Sequence, residues 1–302
     1  MSARRTQLQY LSAVAEAGQI TAAAKKLGLS QPTLSQGIAQ LECELRVSLL
    51  VRHAQGVTLT PAGEAFLVKA RAALAAETDA AQTGEALARA ARGAMAVGFV
   101  GSPPAMNTPE LFVAFAAEHP DTQIDFQDLS FPRGPTAAWL AGVDVAICHR
   151  PRSEAGVVIQ PLRSEPRTVV ARRDHPLAKC AEITADEALG ETFVSFHPDV
   201  QPEWAGFHCL DDLRGARAQT TDHHALTSLQ MLAIMSASEA ITLVPERDAR
   251  IVQQALADIV TLPLADVEPA VVSLAWRASN PNPLVFALVE AAQQIVGSAG
   301  GV

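Results

Sequence analysis

A run of polar side chains between residues 30 and 40 has the types and spacing that suit base edges in DNA. Glutamine pairs in bidentate fashion with adenine, and the threonine methyl group packs against that of thymine. Gln31, Thr33 and Gln36 would share one helix face. A good bidentate pair discriminates against the wrong base by about 1–3 kcal/mol. The alternative is an ordinary solvated helix face, which these residue types alone do not exclude.

Two short helices joined by a glycine turn would position these side chains. Apolar residues recur at helical spacing from Ile20 to Leu27, and Gly28 suits the left-handed end of a helix. Ser30 is a suitable N-cap for the second helix, and Pro32 falls in its first turn, where a missing N–H costs little. The buried stripe of the second helix would consist of Leu34, Ile38, Leu41 and Leu45. The whole pattern favours a DNA-binding helix-turn-helix over a solvated helix pair.

The flanking segments extend this motif. A helix over residues 4–17 precedes the pair, and residues 49–53 and 56–59 have the pattern of two short strands around a turn. These strands would form a wing. Arg52 and His53 lie on its first strand, where we expect them near phosphates.

Residues 6–74 resemble the DNA-binding region of LysR-type transcriptional regulators. The matching text is LQYLSAVAEAGQITAAAKKLGLSQPTLSQGIAQLECEL, followed by LTPAGEAFL at 59–67. The resemblance implies a DNA-binding transcriptional regulator with a winged helix-turn-helix. It places on the recognition helix Gln31, Pro32, Thr33, Ser35 and Gln36.

The chain departs from the family pattern at several positions. Gln36 stands where the family usually has arginine, so one groove or phosphate contact is changed or lost. Arg46 stands where a glycine commonly ends the helix, so we expect that cap to be made differently. Leu50 and Val51 replace the usual phenylalanine and acidic residue before Arg52. These departures affect the predicted base preference rather than the predicted fold.

Charge is distributed unevenly along the chain. Residues 1–60 hold six basic and three acidic residues, which gives a net charge of +3. Because the whole chain carries −9, the remaining residues carry −12. A basic head can bind DNA while an acidic body repels phosphate. Because the head is only mildly basic, we expect one copy to bind weakly and several copies to bind together.

Other classes of protein are not expected from this sequence. No run approaches the roughly 18 apolar residues of a membrane span, and the N-terminal residues lack the apolar core of a signal peptide. We therefore expect a cytoplasmic protein with no membrane partner. The motifs GxSxG, HExxH, GxGxxG and the P-loop are absent, so we do not expect an enzyme.

The cysteines do not predict a metal site or any other cofactor. The four are Cys43, Cys148, Cys180 and Cys209, and they have no CxxC or zinc-type spacing. In a cytoplasmic protein they are most simply reduced thiols. A redox switch between Cys180 and Cys209 stays open as an alternative.

Residues 61–92 predict a long linker helix. Thr60 is a suitable N-cap, Pro61 takes the first helical position, and Glu64 follows near the capping-box position. Apolar residues repeat every seven positions, in one series at Phe66, Ala73, Ala80 and Leu87 and in a second at Leu67, Leu74, Ala81 and Ala88. Such a seam suits another helix. In the family resembled, this helix pairs two subunits; the alternative is packing on its own chain.

From residue 94 onward, strand and helix patterns alternate, which predicts an α/β domain with a parallel sheet covered on both faces. Strands are predicted at 95–100, 123–129, 143–148, 167–172, 192–196, 216–220, 240–245 and 271–276, with later helices at 222–236 and 283–296. The order resembles the two-lobed, periplasmic-binding-protein-like (doubly wound) effector domain of the same family. The predicted domains are a DNA-binding domain (1–60), a linker and dimerisation helix (61–92) and an effector domain (93–302), with lobe I at 94–162 and 266–296 and lobe II at 163–265.

Ligands of such sheets bind at the carboxyl ends of the strands. By resemblance, the effector cleft would be lined there by Gly101, Ser102, Pro103, Phe131, Arg133, His149, His197, Pro202 and Trp204, with Arg150 next to His149. Ser102 can donate to a carboxylate, and Trp204 can cover an apolar portion of the ligand. Arg133, His149 and His197 can balance a negative charge, so we expect a small organic anion. For each basic residue, an ion pair at the rim is the alternative.

These expectations combine into a ligand-responsive transcriptional regulator. Two dimers would form a homotetramer through the linker helices and effector domains and hold a bent site on double-stranded DNA. An effector would favour one lobe arrangement, and so change the DNA bend or a contact with RNA polymerase. The alternatives are a small-molecule-binding protein without DNA function and a redox-responsive regulator.

Overall fold

The computed structural model describes residues 3–149, 151–264 and 266–298. The chain divides into two compact units, Met1–Gln82 and Thr83–Val302. Within the residues that the structure describes, every helix is too short or too polar to cross a membrane.

The first unit contains three helices and a hairpin, followed by most of a long helix. Its elements are α1 (Ala3–Ala17), α2 (Ile20–Lys26), α3 (Gln31–Leu45), β1 (Leu50–His53), β2 (Gly56–Leu59) and α4 (Pro61–Ala90). The predicted helix-turn-helix and antiparallel wing are confirmed, with boundaries within one residue for α1, α3 and the strands. Leu34, Ile38 and Leu41 of the predicted stripe are fully buried. Burial of this stripe fixes which face of α3 points outward.

Both ends of α3 are capped by local hydrogen bonds. The Thr33 backbone N–H donates to Ser30 Oγ at 3.3 Å, so the predicted N-cap is confirmed. At the other end, Arg46 adopts a left-handed conformation with φ +55°, and its N–H donates to the carbonyl of Cys43. The expectation that this cap is made differently is wrong: arginine takes the backbone conformation that glycine adopts more cheaply.

Helix α4 begins as predicted. The Gly63 N–H donates to Thr60 Oγ1 at 2.9 Å, which confirms Thr60 as the N-cap. Several residues of the heptad seam are exposed in the single chain, including Ala73, Ala80 and Leu87. Leu87 keeps 53% of its surface accessible to solvent.

The second unit contains ten strands among its described residues. Its elements are, in chain order, β3 (Ala94–Phe99), α5 (Pro104–Asn107), α6 (Pro109–Glu118), β4 (Gln123–Asp128), α7 (Thr136–Trp139), β5 (Val145–His149), β6 (Val157–Glu165), β7 (Arg167–Arg172), α8 (Ala185–Leu189), β8 (Phe193–Phe196), α9 (Pro202–Cys209), α10 (Asp211–Arg214), β9 (Thr220–Ala225), α11 (Ser228–Ser236), β10 (Thr242–Pro245), α12 (Glu246–Ala255), β11 (Ile259–Pro263), β12 (Ala270–Arg277) and α13 (Pro283–Ser298). A short 3-10 helix, Pro176–Lys179, follows β7.

The first lobe is built on a five-stranded sheet in the order β4-β3-β5-β12-β6. Strands β4, β3 and β5 are parallel, whereas β12 runs antiparallel to both β5 and β6. The expected parallel sheet is therefore only partly present. Strand β12 returns from the second lobe and enters the sheet from the opposite end. Alternation along β3 sends Met95 and Val97 into one apolar core, shared with α6 and α13, and Ala96 into the other.

The second lobe contains two small sheets. Strands β10-β7-β11 pair antiparallel, and β8 pairs parallel with β9, with a bridge from Phe193 to Ile241 between the two sheets. The strand predicted at 216–220 is misplaced, because pairing with β8 begins at Thr220 and continues to Ala225. The helix predicted from residue 222 begins at Ser228. Thr227 accepts a hydrogen bond from the Gln230 N–H and so caps this helix.

A buried carboxylate joins the end of α4 to the first lobe. Asp144 is fully buried and accepts hydrogen bonds from Arg89 Nε at 2.8 Å and from the Ala96 N–H at 2.9 Å. Side-chain amides of Asn280 and Asn282 also donate to Asp144, each at 3.2 Å. A second Arg89 nitrogen, Nη2, is the fifth donor to Asp144. Together the five hydrogen bonds compensate the carboxylate for its loss of hydration.

Candidate nucleic-acid interface and ligand cavity

The outer face of α3 presents the predicted base-reading side chains. Gln31, Pro32, Thr33 and Gln36 are exposed, and Ser35 is half-buried. The hydroxyls of Ser30 and Thr33 lie 2.7 Å apart and share a hydrogen bond at the start of the helix. Ser30 is thus occupied in capping, whereas the side chains of Gln31 and Gln36 are exposed to solvent.

The wing is attached to this face through its arginine. Arg52 Nη2 donates to Ser35 Oγ at 2.8 Å, and His53 is exposed at the end of β1. The structure thus brings Arg52 and the α3 side chains into one continuous surface. A guanidinium held at the edge of a recognition helix suits a phosphate contact.

Sequence reasoning missed two residues that orient α3. The Glu42 carboxylate accepts hydrogen bonds from the N–H groups of Leu49 at 2.6 Å and Leu50 at 3.0 Å, which ties α3 to the start of the wing. Gly37 faces the Tyr10 ring so closely that a Cβ would lie 2.6 Å from Tyr10 Cδ2. In the sequence, these two residues were visible only as a glutamate and a glycine within α3, with no local pattern to indicate their partners.

The positive charge of this unit is partly neutralised within it. Lys26 pairs with Glu16 at 3.0 Å, and Arg4 pairs with Glu44 at 3.0 Å. Among the described residues, Arg52 has no acidic group within ion-pair distance. Its charge is therefore available to phosphate, which agrees with a mildly basic surface.

A cavity of about 460 Å³ opens in the second unit, within the range of small-molecule sites. Its walls come from the loop after β3, from α9, α11 and α12, and from the ends of β5 and β10. Five of the predicted effector residues line it: Gly101, Ser102, Pro103, His149 and Trp204. Gly101 has φ +93°, and a Cβ there would lie 3.3 Å from the Asp248 carboxylate.

The other predicted effector residues lie elsewhere. Phe131 is buried behind Trp204, with ring centroids 4.3 Å apart. Arg133 is exposed and pairs through its backbone with Val200.

Two further predicted effector residues, His197 and Pro202, line smaller or shallower pockets. His197 lines a pocket of about 160 Å³, where its Nδ1 lies 3.6 Å from Asp199 Oδ2. Pro202 borders that pocket and a shallow one of about 680 Å³. Arg150, expected beside His149, lies outside the described residues.

Two buried histidines form part of the cavity wall. The Nε2 atoms of His149 and His208 lie 2.9 Å apart, and His208 Nδ1 contacts the Leu243 carbonyl oxygen. A carbonyl only accepts, so His208 carries its proton on Nδ1. Burial, and then the charge of His149, lower the pKa of His208 well below its usual value. His208 is therefore neutral, and its Nε2 accepts a hydrogen bond from the Nε2–H of His149.

A buried carboxyl group forms another part of the wall. Asp248 Oδ1 accepts hydrogen bonds from the Ser102 N–H at 3.1 Å and from Asn107 Nδ2 at 2.7 Å. Burial raises the pKa of Asp248 to about 6, despite these hydrogen bonds, which act in the opposite direction. Sequence reasoning missed both Asp248 and His208, because neither belongs to a strand end and no local spacing connects them to the loop after β3.

The indole of Trp204 supplies an unsatisfied donor. Trp204 is 1% exposed and lines the cavity, stacked at 4.0 Å on the His208 ring and at 4.3 Å on Phe131. Its Nε1–H has no acceptor among the residues that the structure describes. A buried N–H without an acceptor is costly unless a ligand or water supplies one.

Two of the four cysteines are placed unfavourably for redox chemistry. Cys148 and Cys209 are buried, and burial raises the pKa of each thiol to about 12. A thiol with such a pKa is a poor nucleophile near neutral pH. Cys43 and Cys180 are exposed. Within the described ranges, no group of three histidine, cysteine or acidic residues is placed to hold a metal ion.

Two family models match the chain. One, described as bacterial regulatory helix-turn-helix protein, lysR family, matches residues 6–64, and the other, LysR substrate binding domain, matches residues 88–296. The HTH-type transcriptional regulator AlsR of Bacillus subtilis (strain 168) is 29% identical over 281 residues, 92% of this chain and 91% of that protein. The Hca operon transcriptional activator HcaR of Escherichia coli (strain K12) is 37% identical over 191 residues, 63% of this chain and 64% of that protein.

Solved structures of similar proteins agree with both units. Full-length CbnR complexed with target DNA is 25% identical, covers 98% of this chain and 99% of its own, and aligns with a TM-score of 0.52. The two family matches together span the recognition helix and the ligand cavity. The chain is therefore a DNA-binding transcriptional regulator with an effector-binding domain, and it belongs to the LysR family.

Proposed function

We propose that the outer face of α3 reads promoter bases and that a small molecule in the 460 Å³ cavity controls this binding. The observation that carries the proposal is the exposed pair Gln31 and Gln36 beside a wing arginine, Arg52, which is held to α3 by Ser35. Base contacts from glutamine specify sequence, and the arginine contact to phosphate sets the register. Ser30, Pro32, Thr33 and His53 complete this surface.

The linker helix supports a proposal of self-association. The heptad residues Ala73, Ala80 and Leu87 are exposed in the single chain, and small alanines allow a second helix to approach closely. We assign residues 1–60 to DNA binding, 61–92 to dimerisation and 93–302 to effector binding. Two such dimers would form a homotetramer, which gives a mildly basic head the multivalency it needs.

Control by the effector follows from where the cavity lies. Ser102 and His149 belong to the first lobe, whereas Trp204 and Asp248 belong to the second, and all four line the cavity. A ligand touching both lobes favours the lobe arrangement in which it makes more contacts. The change would alter the DNA bend or the contact with RNA polymerase, in the cytoplasm, where promoter DNA is found. We assign the cavity to binding rather than to catalysis, because the similar proteins are regulators.

The test is a DNase footprint of the full chain on DNA fragments that include the region upstream of its own gene. We expect one protected site, and we expect replacement of Gln31 and Thr33 by alanine to weaken binding to it at least tenfold, while affinity for unrelated DNA changes little. Gln123→Ala removes the same amide from an exposed strand position of the second unit and serves as the control. No protected fragment, or equal selectivity in the α3 variant, would favour the rival function of a small-molecule-binding protein without a DNA target.

A further inference from the structure

We propose that the effector cavity takes an uncharged, largely apolar molecule with one or two hydrogen-bonding groups, rather than the organic anion expected from the sequence. The inference rests on the proposed function, in which this cavity is the regulatory site. Three observations support it: the apolar lining of the cavity, the charge of the ionisable groups in its wall and a buried Trp204 N–H without an acceptor among the described residues.

The wall of the cavity is apolar over most of its area. Helices α11 and α12 contribute Leu229, Met231, Leu232, Ile251 and Val252. Among the described residues that line it, none is a lysine or an arginine. The cations expected there, Arg133 and His197, lie outside the cavity. Contact with such a wall favours hydrocarbon and offers a full charge too few polar partners to replace its hydration.

The ionisable groups of the wall also disfavour an anion. His208 is neutral because its Nδ1–H is donated to a carbonyl oxygen and its Nε2 accepts from His149. The Asp248 carboxylate also lines the cavity and is held in place by Ser102 and Asn107. The Nε2–H of His149 is already donated to His208, and an anionic ligand would meet the Asp248 carboxylate, whose like charge repels it in a buried site.

The cavity wall also contains a few groups that can form hydrogen bonds. Trp204 lines the cavity, and its buried Nε1–H lacks an acceptor in the described part of the chain. Ser102 is 9% exposed and offers a hydroxyl at the same cavity. Two such groups specify orientation without requiring charge.

Two fluorescent probes share one skeleton and differ by a single charge. N-phenyl-1-naphthylamine is neutral, and 8-anilino-1-naphthalenesulfonate adds one sulfonate to it. Both are small enough for a cavity of about 460 Å³, and both brighten in apolar surroundings. Titration of the full chain with each probe measures the effect of charge at nearly constant shape. We expect the neutral probe to bind at least tenfold more tightly.

Two variants locate the binding. Ala255→Trp places a large ring at the cavity wall from an exposed position on α12, and Gln254→Trp places the same ring on the neighbouring residue, which does not line the cavity. We expect Ala255→Trp to weaken the neutral probe at least tenfold and Gln254→Trp to leave it unchanged. Ser236→Trp, from an exposed position of α11 that also lines the cavity, repeats the test should Ala255→Trp fail to fold.

Equal or tighter binding of the sulfonate, lost in Ala255→Trp, would overturn the proposal by showing that the cavity accepts anions. Binding of both probes that is indifferent to Ala255→Trp and Ser236→Trp would overturn it by placing the apolar site elsewhere. A footprint on the same preparation tests the proposed function independently, because DNA binding by α3 does not require either probe.

Discussion

Arg52 on the wing donates a 2.8 Å hydrogen bond from its Nη2 atom to Ser35 Oγ on the recognition helix. The contact joins residues 17 positions apart and aligns the wing guanidinium with the outer face of α3. Because Ser35 is half-buried and Arg52 exposed, the serine acts as an anchor and the arginine keeps donors for a phosphate. The relationship explains how a short hairpin contributes to the DNA-facing surface.

Arg52→Ala should lower affinity for specific and unrelated DNA alike, because a phosphate contact carries no sequence information. We expect the slope of log affinity against log salt concentration to fall by about 1 in magnitude. Titration of labelled DNA across a salt series measures it. Arg250→Ala removes an exposed arginine of the second unit and should leave the slope unchanged. An unchanged slope in Arg52→Ala would place this arginine away from phosphate.

Arg46→Gly should stabilise the end of α3. Arg46 has φ +55°, a conformation that costs a residue with a Cβ about 1 kcal/mol relative to glycine. Amide hydrogen exchange of the full chain, followed at the last turn of α3, should slow by roughly fivefold. Arg46→Ala keeps the Cβ and should show no such slowing. An equal effect in both variants would mean that the arginine charge, rather than the backbone, limits stability.

Asp144→Asn should destabilise the second unit by about 3 kcal/mol, because Arg89 would remain largely buried without its carboxylate partner. Urea unfolding of the full chain followed by tryptophan fluorescence measures the loss, since Trp276 lies in the same sheet. Glu85→Gln removes an exposed carboxylate from the same helix and should change stability by less than about 0.5 kcal/mol. A similar small effect of Asp144→Asn would contradict the assignment of Asp144 as the anchor of α4.

Asp248→Asn should change how stability depends on pH. The folded-state pKa of Asp248 is about 6, above the ordinary value of 3.8, so the folded protein retains this proton when the unfolded chain has lost it. The associated stability is present below about pH 4 and is lost as the pH rises through 6, which amounts to about 3 kcal/mol.

The asparagine variant should therefore match the parent protein near pH 4 and exceed its free energy of unfolding at pH 7.5. Urea unfolding at the two pH values measures the difference. Asp258→Asn, in an exposed loop, should track the parent protein at both. A variant less stable than the parent at pH 7.5 would show that the carboxylate is stabilising in the folded state.

The first unit was predictable in detail because its determinants are local. The Ser30 N-cap, the stripe at Leu34, Ile38 and Leu41, and the Thr60 cap all act within one or two helical turns, and each is present in the structure. Arg46 was the exception. Its residue type gave no sign of a left-handed backbone, which accompanies the hydrogen bonds that end α3, from the Arg46 N–H to Cys43 and from the Val47 N–H to Glu42.

The second unit was predictable in strand order but not in strand direction. Apolar runs identified β3, β7 and β12, yet antiparallel pairing of β12 with β5 and β6 depends on how the chain crosses between lobes. Strands β6 and β11 went unrecognised, and β9 was placed too early. Such pairings are long-range and leave little trace in local periodicity.

The amino-acid sequence by itself determined the helix-turn-helix, the capped linker helix and the family, because hydrophobic period, capping residues and motif spacing are properties of adjacent residues. Tertiary structure alone decided the character of the cavity. It brought His208 and Asp248 to the Ser102 loop across 106 and 146 positions of chain, and it left Arg133 and His197 outside. The physical reason is that burial and charge compensation depend on which segments meet in space. Each lobe contains segments that are far apart in the sequence, so no single segment shows which residues will meet at the cavity.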